Sequence, residues 1–306
     1  MITNLSPSSE IFLANMARVQ RQMAVAQQQA SSGRKVNVAS DAPDQIGAIL
    51  QLRANMVRNT QITSNLALAS ADASAADNAL NSAAKLMDRA VTLGAMGATA
   101  TMDASGRQSI ALEVQSLQDQ MLATSQATVQ GRYIFSGDQD SGPAYGSDPT
   151  AANGVVRLST ASSTLRVEDP SGGSFAVGQT AQNIFDSRNA DDSLAPNNVF
   201  AALNSLRVAL QSNNTAGIAT AEDAVQQASS HLSDSQAFYG TVENRIQDAT
   251  NFASKYDVQL QTELSQKVDA DITSAALAMN QGTLQLQAAF QMQAKMPRTT
   301  LFDFLA

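Results

Sequence analysis

Hydrophobic spacing near the two ends of this chain limits its fold more than any other feature. From Ile218 onward the apolar or small residues fall at Ile218, Ala221, Val225, Ala228, Leu232, Ser235, Tyr239, Val242, Ile246, Ala249, Ala253, Tyr256 and Leu260. The steps alternate three and four without a slip, which is the spacing of a helix that keeps one stripe against a partner. At 1.5 Å rise per residue the run predicts a rod about 60 Å long. The N-terminal half carries an answering run: Ile62, Leu66, Ala69, Ala73, Ala76, Leu80, Ala83, Met87 and Ala90. Together they predict a mainly α chain whose N- and C-terminal segments form a long antiparallel, coiled-coil-like helical rod. A small β-rich domain is inserted between them.

The composition weakens that rod. Only 15% of the residues are charged and there is no Trp. Ala, Ser, Thr, Asn and Gln fill the space instead. Each buried methylene contributes about 0.8 kcal/mol, so seam positions held by Ala and Ser bury little. Such helices draw most of their stability from neighbours, and some of that burial is expected to come from other molecules.

A net charge of −8 and a pI near 4.6 argue against nucleic-acid binding, which relies on clustered Lys and Arg. No apolar run of 18 residues exists, so membrane insertion is not expected. The opening Met-Ile-Thr-Asn-Leu-Ser-Pro has no basic leader followed by an apolar block, so no Sec-type signal peptide is expected. With no cysteine, disulfides and thiolate chemistry are absent.

Along the chain, a first helix is predicted over about Ser9–Ser32, with Phe12, Met16, Val19, Met23, Ala26 and Ala30 on one face. Gly33 suits the position just past its end. Asp41 is placed to cap the next helix, with Pro43 and Asp44 in its first turn. That second helix is expected to reach about Leu93, where Gly94 and Gly97 interrupt the pattern. A third runs from near Ser105, through Ile110, Val114, Leu117, Met121, Thr124 and Thr128, and stops before Gly131. The period then changes. Val155–Leu158, Leu165–Val167 and Phe175–Val177 are short strand candidates, with Asp169-Pro170-Ser171-Gly172-Gly173 as a turn between the last two. A short helix near Val199–Gln211 follows. After the long helix, a last one over Leu264–Lys295 carries Val268, Ile272, Ala275, Met279, Gly282, Leu286 and Ala289 and ends before Pro297. The expected divisions are 1–35, an N-terminal assembly helix; 36–131, the N-terminal rod; 132–198, the β-rich insertion; 199–265, the C-terminal rod; and 266–306, an assembly helix and tail. The outer ends, 1–35 and 270–306, have no obvious dedicated partner helix and are expected to order on assembly.

Nothing in the sequence designates catalysis, a metal or a cofactor. His231, the single histidine, sits beside a seam position and has no designated partners. On one continuous helix Asp269 and Asp271 would face about 200° apart, as solvated side chains. The glycines around Arg132–Ser136 lack the Lys-Ser/Thr of a phosphate-binding loop.

One segment is more specific. Ser31-Ser32-Gly33-Arg34-Lys35-Val36-Asn37-Val38-Ala39-Ser40-Asp41-Ala42-Pro43 resembles the Ser-Ser-Gly-basic-basic-apolar-Asn-x-(Ala/Pro)-Ser-Asp-Asp-Pro signature of the bacterial flagellin family. It departs at Ala42, where the family usually has a second Asp. Asn65, Asp77, Leu80 and Leu86 resemble that family's N-terminal rod. Gly240 through Asn244, Arg245 and Ile246 resemble the Gly-x-x-x-Asn-Arg-(Leu/Ile) element of its C-terminal rod, and Val268–Ile272 resembles its Asp-x-Asp stretch. The resemblance covers about 1–140 and 215–306.

Two roles exist in that family: building the filament, and joining it to the hook. Gly131-Arg132-Tyr133-Ile134-Phe135-Ser136-Gly137 is similar to the junction members' Gly-Arg-Tyr-Ile-Phe-(Ala/Ser)-Gly. Leu301-Phe302-Asp303-Phe304-Leu305 is similar to their ending, whereas filament subunits more often end in a Leu-rich tail. The resemblance therefore implies a secreted structural subunit of the extracellular flagellum, without enzymatic activity. It implies passage through the flagellar type III export channel with a cytoplasmic chaperone. It also implies contact with other copies of itself, with the hook or hook-associated protein 1 on one side and with flagellin on the other. Phe12, Met16, Val19, Met23, Ile272, Met279, Leu286, Phe302 and Phe304 are the expected assembly residues. The alternative within the family is the filament subunit itself; the alternative outside it is a type III secreted coiled-coil translocator.

Overall fold

The computed structural model describes residues 7–295. Seven helices and six short strands occur there in this order: α1 Pro7–Ser32, α2 Ile46–Ala98, α3 Ala104–Ser125, β1 Thr128–Val129, β2 Arg132–Tyr133, β3 Tyr145–Ser147, β4 Val155–Arg157, β5 Arg166–Glu168, β6 Ser174–Ala176, α4 Ala181–Phe185, α5 Val199–Gln211, α6 Thr215–Val268 and α7 Ile272–Lys295. The chain forms two compact units, residues 1–58 with 256–306, and residues 59–255.

Within the 59–255 unit, the two stripes read from the sequence are the core. Ile62, Leu66, Ala69, Ala73, Ala76, Leu80, Ala83, Met87 and Ala90 of α2 are all buried, and so are Ile218 through Ala253 at each seam position of α6. Leu66, Leu80 and Met87 are wholly excluded from solvent. Each contributes on the order of 1.5–3 kcal/mol, while the alanines between them let the helices approach closely. Gly94 and Gly97 do not interrupt α2 as the sequence suggested. A Cβ on Gly94 would lie 2.8 Å from Cγ of Glu222, and one on Gly97 would collide with Leu210. They serve close packing, so α2 continues to Ala98.

α3 and α5 complete the helical part of this unit. Ile110, Val114, Leu117 and Met121 of α3 are buried, as are Phe200, Leu203, Leu206 and Leu210 of α5. α3 ends at Ser125, short of Thr128, because the chain turns into β1 there. Both helices start on side-chain caps: Asp103 accepts from the Gly106 N–H at 2.8 Å, and Asn198 accepts from the Ala201 N–H at 2.9 Å. The buried Arg107 guanidinium donates to the Gly97 and Thr99 carbonyls at 2.8 and 3.0 Å and to Asn213 Oδ1 at 2.6 Å. A cation thus meets the free carbonyls at the C-terminal end of α2.

The β-rich insertion is three separate antiparallel hairpins, not one sheet: β1–β2, β3–β4 and β5–β6. β3 escaped the sequence reading because Tyr145-Gly146-Ser147 has no apolar alternation, and α4 because it is a five-residue helix. An aromatic cluster anchors the first two hairpins on the helices. Phe135 packs edge-on against Phe185, with centroids 5.6 Å apart, and against Tyr239 at 6.5 Å; Phe200 lies against Phe185 and Tyr145. Beside it, the fully buried Asp186 accepts from Tyr145 Oη, Asn153 Nδ2, Asn198 Nδ2 and Arg188 Nε at 2.8–2.9 Å. Burial and the facing carboxylate push the Tyr145 hydroxyl far above its ordinary pKa, so it stays a donor.

Ile246 is the seam residue best suited to test the helix pairing, since it is 3% exposed in the middle of α6. Ile246→Asp buries an unpaired charge and is expected to cost about 3 kcal/mol or more, read as a lower urea midpoint. An unchanged midpoint would mean that the stripe is not a packing surface.

Candidate assembly surfaces

In the unit of residues 1–58 and 256–306, the signature segment braces two chain reversals. α1 stops at Gly33, whose N–H donates to the Gln29 carbonyl at 2.9 Å and whose φ of +68° suits glycine. Ser32 Oγ accepts from the Arg34 N–H at 3.2 Å. Arg34 then pairs with Asp269 in an isolated antiparallel bridge. The Lys35 N–H donates to the Val268 carbonyl at 2.8 Å, the Ala270 N–H donates to the Gly33 carbonyl at 2.9 Å, and Lys35 Nζ donates to the Gln266 carbonyl at 2.6 Å. The basic pair therefore ties the end of α1 to the end of α6.

Asp41 does not cap α2. Its carboxylate reaches backward and accepts from the N–H groups of Asn37 at 2.8 Å and Val38 at 2.9 Å, closing a 3-10 turn over Ala39–Asp41 that includes Ser40. The Asn37 amide donates to the Arg34 carbonyl at 3.1 Å. α2 begins five residues after Asp41, at Ile46, with Pro43 and Asp44 in the approach rather than in its first turn. Hydrogen bonds from Val38 and then Asn37 hold the Asp41 carboxyl below its ordinary pKa.

The predicted helix over 264–295 is broken at 269–271, which also overturns the reading of Asp269 and Asp271 as two faces of one helix. Asp269 accepts from Ser265 Oγ at 2.6 Å. Asp271 caps α7, accepting from the Thr273 N–H at 2.9 Å and Ser274 Oγ at 2.8 Å. The competing side-chain acceptors win over helix continuity here.

α1 and α7 pack on each other, so each end has the partner helix that the sequence reading did not find. Phe12, Met16, Val19 and Met23 are half-buried and Ala26 is buried; Met279 and Leu286 are half-buried, with Ala275 and Gly282 buried. Gly282 marks the closest approach, since a Cβ there would fall on Met23. Ile272 is 59% exposed, and Phe302 and Phe304 lie outside the described residues. Large apolar side chains nonetheless face water along both helices, among them Ile11, Leu13 and Val25 on α1 and Leu277, Leu284, Phe290 and Met292 on α7.

In the 59–255 unit, the segment from Gly131 to Gly137 docks a hairpin on the helices. Gln130 and Gly131 turn it with φ of 51° and 81°. Arg132 reaches Asp72 of α2 at 3.0 Å and Asp140 at 3.3 Å, and these carboxylates raise its pKa. Tyr133 pairs with Thr128 across the ladder, and Phe135 enters the aromatic cluster. Gly137 (φ +64°) leaves no room for a Cβ, which would sit 2.6 Å from the Ser162 carbonyl oxygen. The Tyr239 hydroxyl accepts from the Gln179 N–H at 3.0 Å, and burial has it pushed up to about 12. Arg245 lies 4.4 Å over the Phe175 ring, and Asn244 is exposed. Sequence reasoning missed Asp72 and Phe175 as partners because neither carries a local mark; each is distant along the chain from the arginine it meets.

His231 offers no catalytic pair. Its Nε2 lies 2.7 Å from the Asn183 carbonyl and 3.0 Å from Ser187 Oγ. The carbonyl can only accept, so Nε2 carries the proton and cannot take one from Ser187. Among the described residues, no group of three or more His, Asp or Glu side chains is placed to hold a metal, and no helix is long and apolar enough to cross a membrane.

Comparison with known proteins agrees with the two bracing segments. The bacterial flagellin N-terminal helical region matches residues 3–140, and the bacterial flagellin C-terminal helical region matches residues 222–305. The chain belongs to the bacterial flagellin family. It is 24% identical to flagellar hook-associated protein 3 of Escherichia coli (strain K12) over 293 residues, 90% of each chain. Among solved structures, it resembles a Vibrio parahaemolyticus protein assigned to the flagellar hook-associated proteins, with a TM-score of 0.64 and 18% identity over 75% of this chain and 100% of that one. It also resembles flagellar hook associated protein-3 of Legionella pneumophila, with a TM-score of 0.61 and 13% identity over 71% and 98%. These structural likenesses establish a flagellin-type fold.

The Asp41 turn generates a pH prediction. A carboxyl held below its unfolded value contributes stability above that value, near 4, and loses it as pH falls through the lower folded value. The Asn37 and Val38 amides are expected to lose hydrogen-exchange protection as pH drops from about 4 toward 2, relative to Leu66 and Leu80 in the core. Asp41→Ala should lack that protection at every pH. Protection that ignores pH over this range would contradict the assignment.

Proposed function

We propose that this subunit joins the flagellar hook to the filament. The observation that carries the reading is the match to hook-associated protein 3 of Escherichia coli over 90% of both chains, which spans the insertion as well as the helical ends. The Gly131–Gly137 segment and the Leu301–Leu305 ending support it over the filament-subunit alternative. The family itself is structural, and the activity is assembly rather than turnover.

In this reading α1 and α7, within the divisions 1–35 and 266–306, are the assembly helices. Phe12, Met16, Val19, Met23, Met279 and Leu286 hold the pair together within one subunit. Ile272, Leu277, Leu284 and Phe290, more than half exposed on α7, await neighbouring copies, because several large apolar side chains left in water on one helix mark an interaction site. Phe302 and Phe304, which lie outside the described residues, are further candidates for the same assembly role. Segments 36–131 and 199–265 serve as the rod, and 132–198 faces outward or contacts lateral neighbours. The hook or hook-associated protein 1 lies on one side and flagellin on the other. A cytoplasmic chaperone covers the C-terminal helices before type III export, and the mature location is the extracellular flagellum.

Deleting the chain from its parent strain separates the readings. The junction role predicts intact hooks with filament protein shed into the medium; a filament subunit predicts hooks with no filament protein anywhere; a translocator predicts normal motility. Complementation with Leu277→Ser, Leu284→Ser and Phe290→Ser together is expected to leave the monomer's melting temperature unchanged and abolish filament attachment. Attached filaments in that strain would remove α7 from the assembly surface.

A further inference from the structure

The seam of the 59–255 unit contains one polar side chain that the stripes do not explain. Counting in sevens along α2 gives Asn59, Leu66, Ala73, Leu80 and Met87; the second column is Ile62, Ala69, Ala76, Ala83 and Ala90. Asn59 thus occupies a core column and is 4% exposed. Its amide Nδ2 donates to the Ala253 carbonyl of α6 at 2.9 Å, while Oδ1 is buried with no hydrogen-bond partner. The α6 column runs Ile218, Val225, Leu232, Tyr239, Ile246 and Ala253. Ala253 is the single small residue in that column, so its carbonyl is approachable by the Asn59 amide.

The geometry points to a pairing key: we propose that Asn59 and Ala253 fix the register of α2 against α6 at this end of the unit. The alanine column cannot do so, since Ala69, Ala76, Ala83 and Ala90 offer a similar methyl surface after a slip. Closer to the insertion the helices are braced by Arg132 on Asp72 and by Arg245 on Phe175. Asn59 lies beyond those braces. A slip of one turn takes the amide away from the Ala253 carbonyl and breaks that hydrogen bond. A polar core residue bonded in one alignment gives up stability to favour that alignment over others.

The chain has no cysteine, so spin labels on cysteines introduced at the exposed positions Gln61 and Ser254 report this stretch alone. Double electron–electron resonance on the full chain is expected to give one narrow distance with Asn59 in place. Asn59→Leu and Asn59→Ala are each expected to give a displaced or second distance population. Asn59→Leu is also expected to melt no lower than the parent, a combination that loss of a merely stabilising contact would not produce. Should Asn59→Leu fail to fold, Asn59→Ala decides. A single unchanged distance in the folded variants would overturn the proposal, and so would loss of folding in both, because a register key is dispensable for the fold itself.

Discussion

The rest of the structure depends on the close packing of α2 on α6 within the 59–255 unit. That contact alternates alanines with larger side chains, among them Ile62, Leu66, Leu80, Met87, Ile218, Leu232, Tyr239 and Ile246. Methyl packing brings helices close but excludes little apolar area per residue, so it is weak for its length. The insertion compensates: its Phe135 and Phe185 join Phe200 of α5 and Tyr239 of α6 in one cluster, and α3 and α5 add Met121 and Leu203. The middle of the chain is therefore a clamp on the helices as much as an outward decoration.

The other unit lacks such a clamp. There the connections are mostly backbone and short polar side chains: Gly33, Arg34 and Lys35 on Val268, Asp269 and Ala270, with Asp41 and Asp271 closing the turns. α1 and α7 then meet through half-buried methionines and one glycine, and keep several large apolar side chains in water. A surface of that kind suits a subunit completed by its neighbours.

Helices whose core period persists over many turns were legible residue by residue, because α2 and α6 present the same face throughout. Strands Val155–Arg157, Arg166–Glu168 and Ser174–Ala176 were legible because apolar runs lie beside Gly- and Pro-rich turns. Tyr145–Ser147 was not, since its register comes from pairing with Val155–Arg157 rather than from its own pattern. The helix break at Asp269–Asp271 was hidden for a related reason: the apolar spacing runs on through it, and only the side-chain acceptors betray it. Of the assembly residues, periodicity found the inner faces of α1 and α7 but could not reveal that they face each other. Asn59 escaped because an asparagine next to an arginine and a threonine reads as surface until the count in sevens places it in the core.

In the proposed role, the apolar face of α7 is completed by other subunits in the flagellum. A single cysteine at Leu284, 65% exposed in the subunit, tests it directly in a chain with no other thiol. That cysteine is expected to be alkylated rapidly in the free subunit and strongly protected in intact, purified flagella. Equal reactivity in both would contradict it.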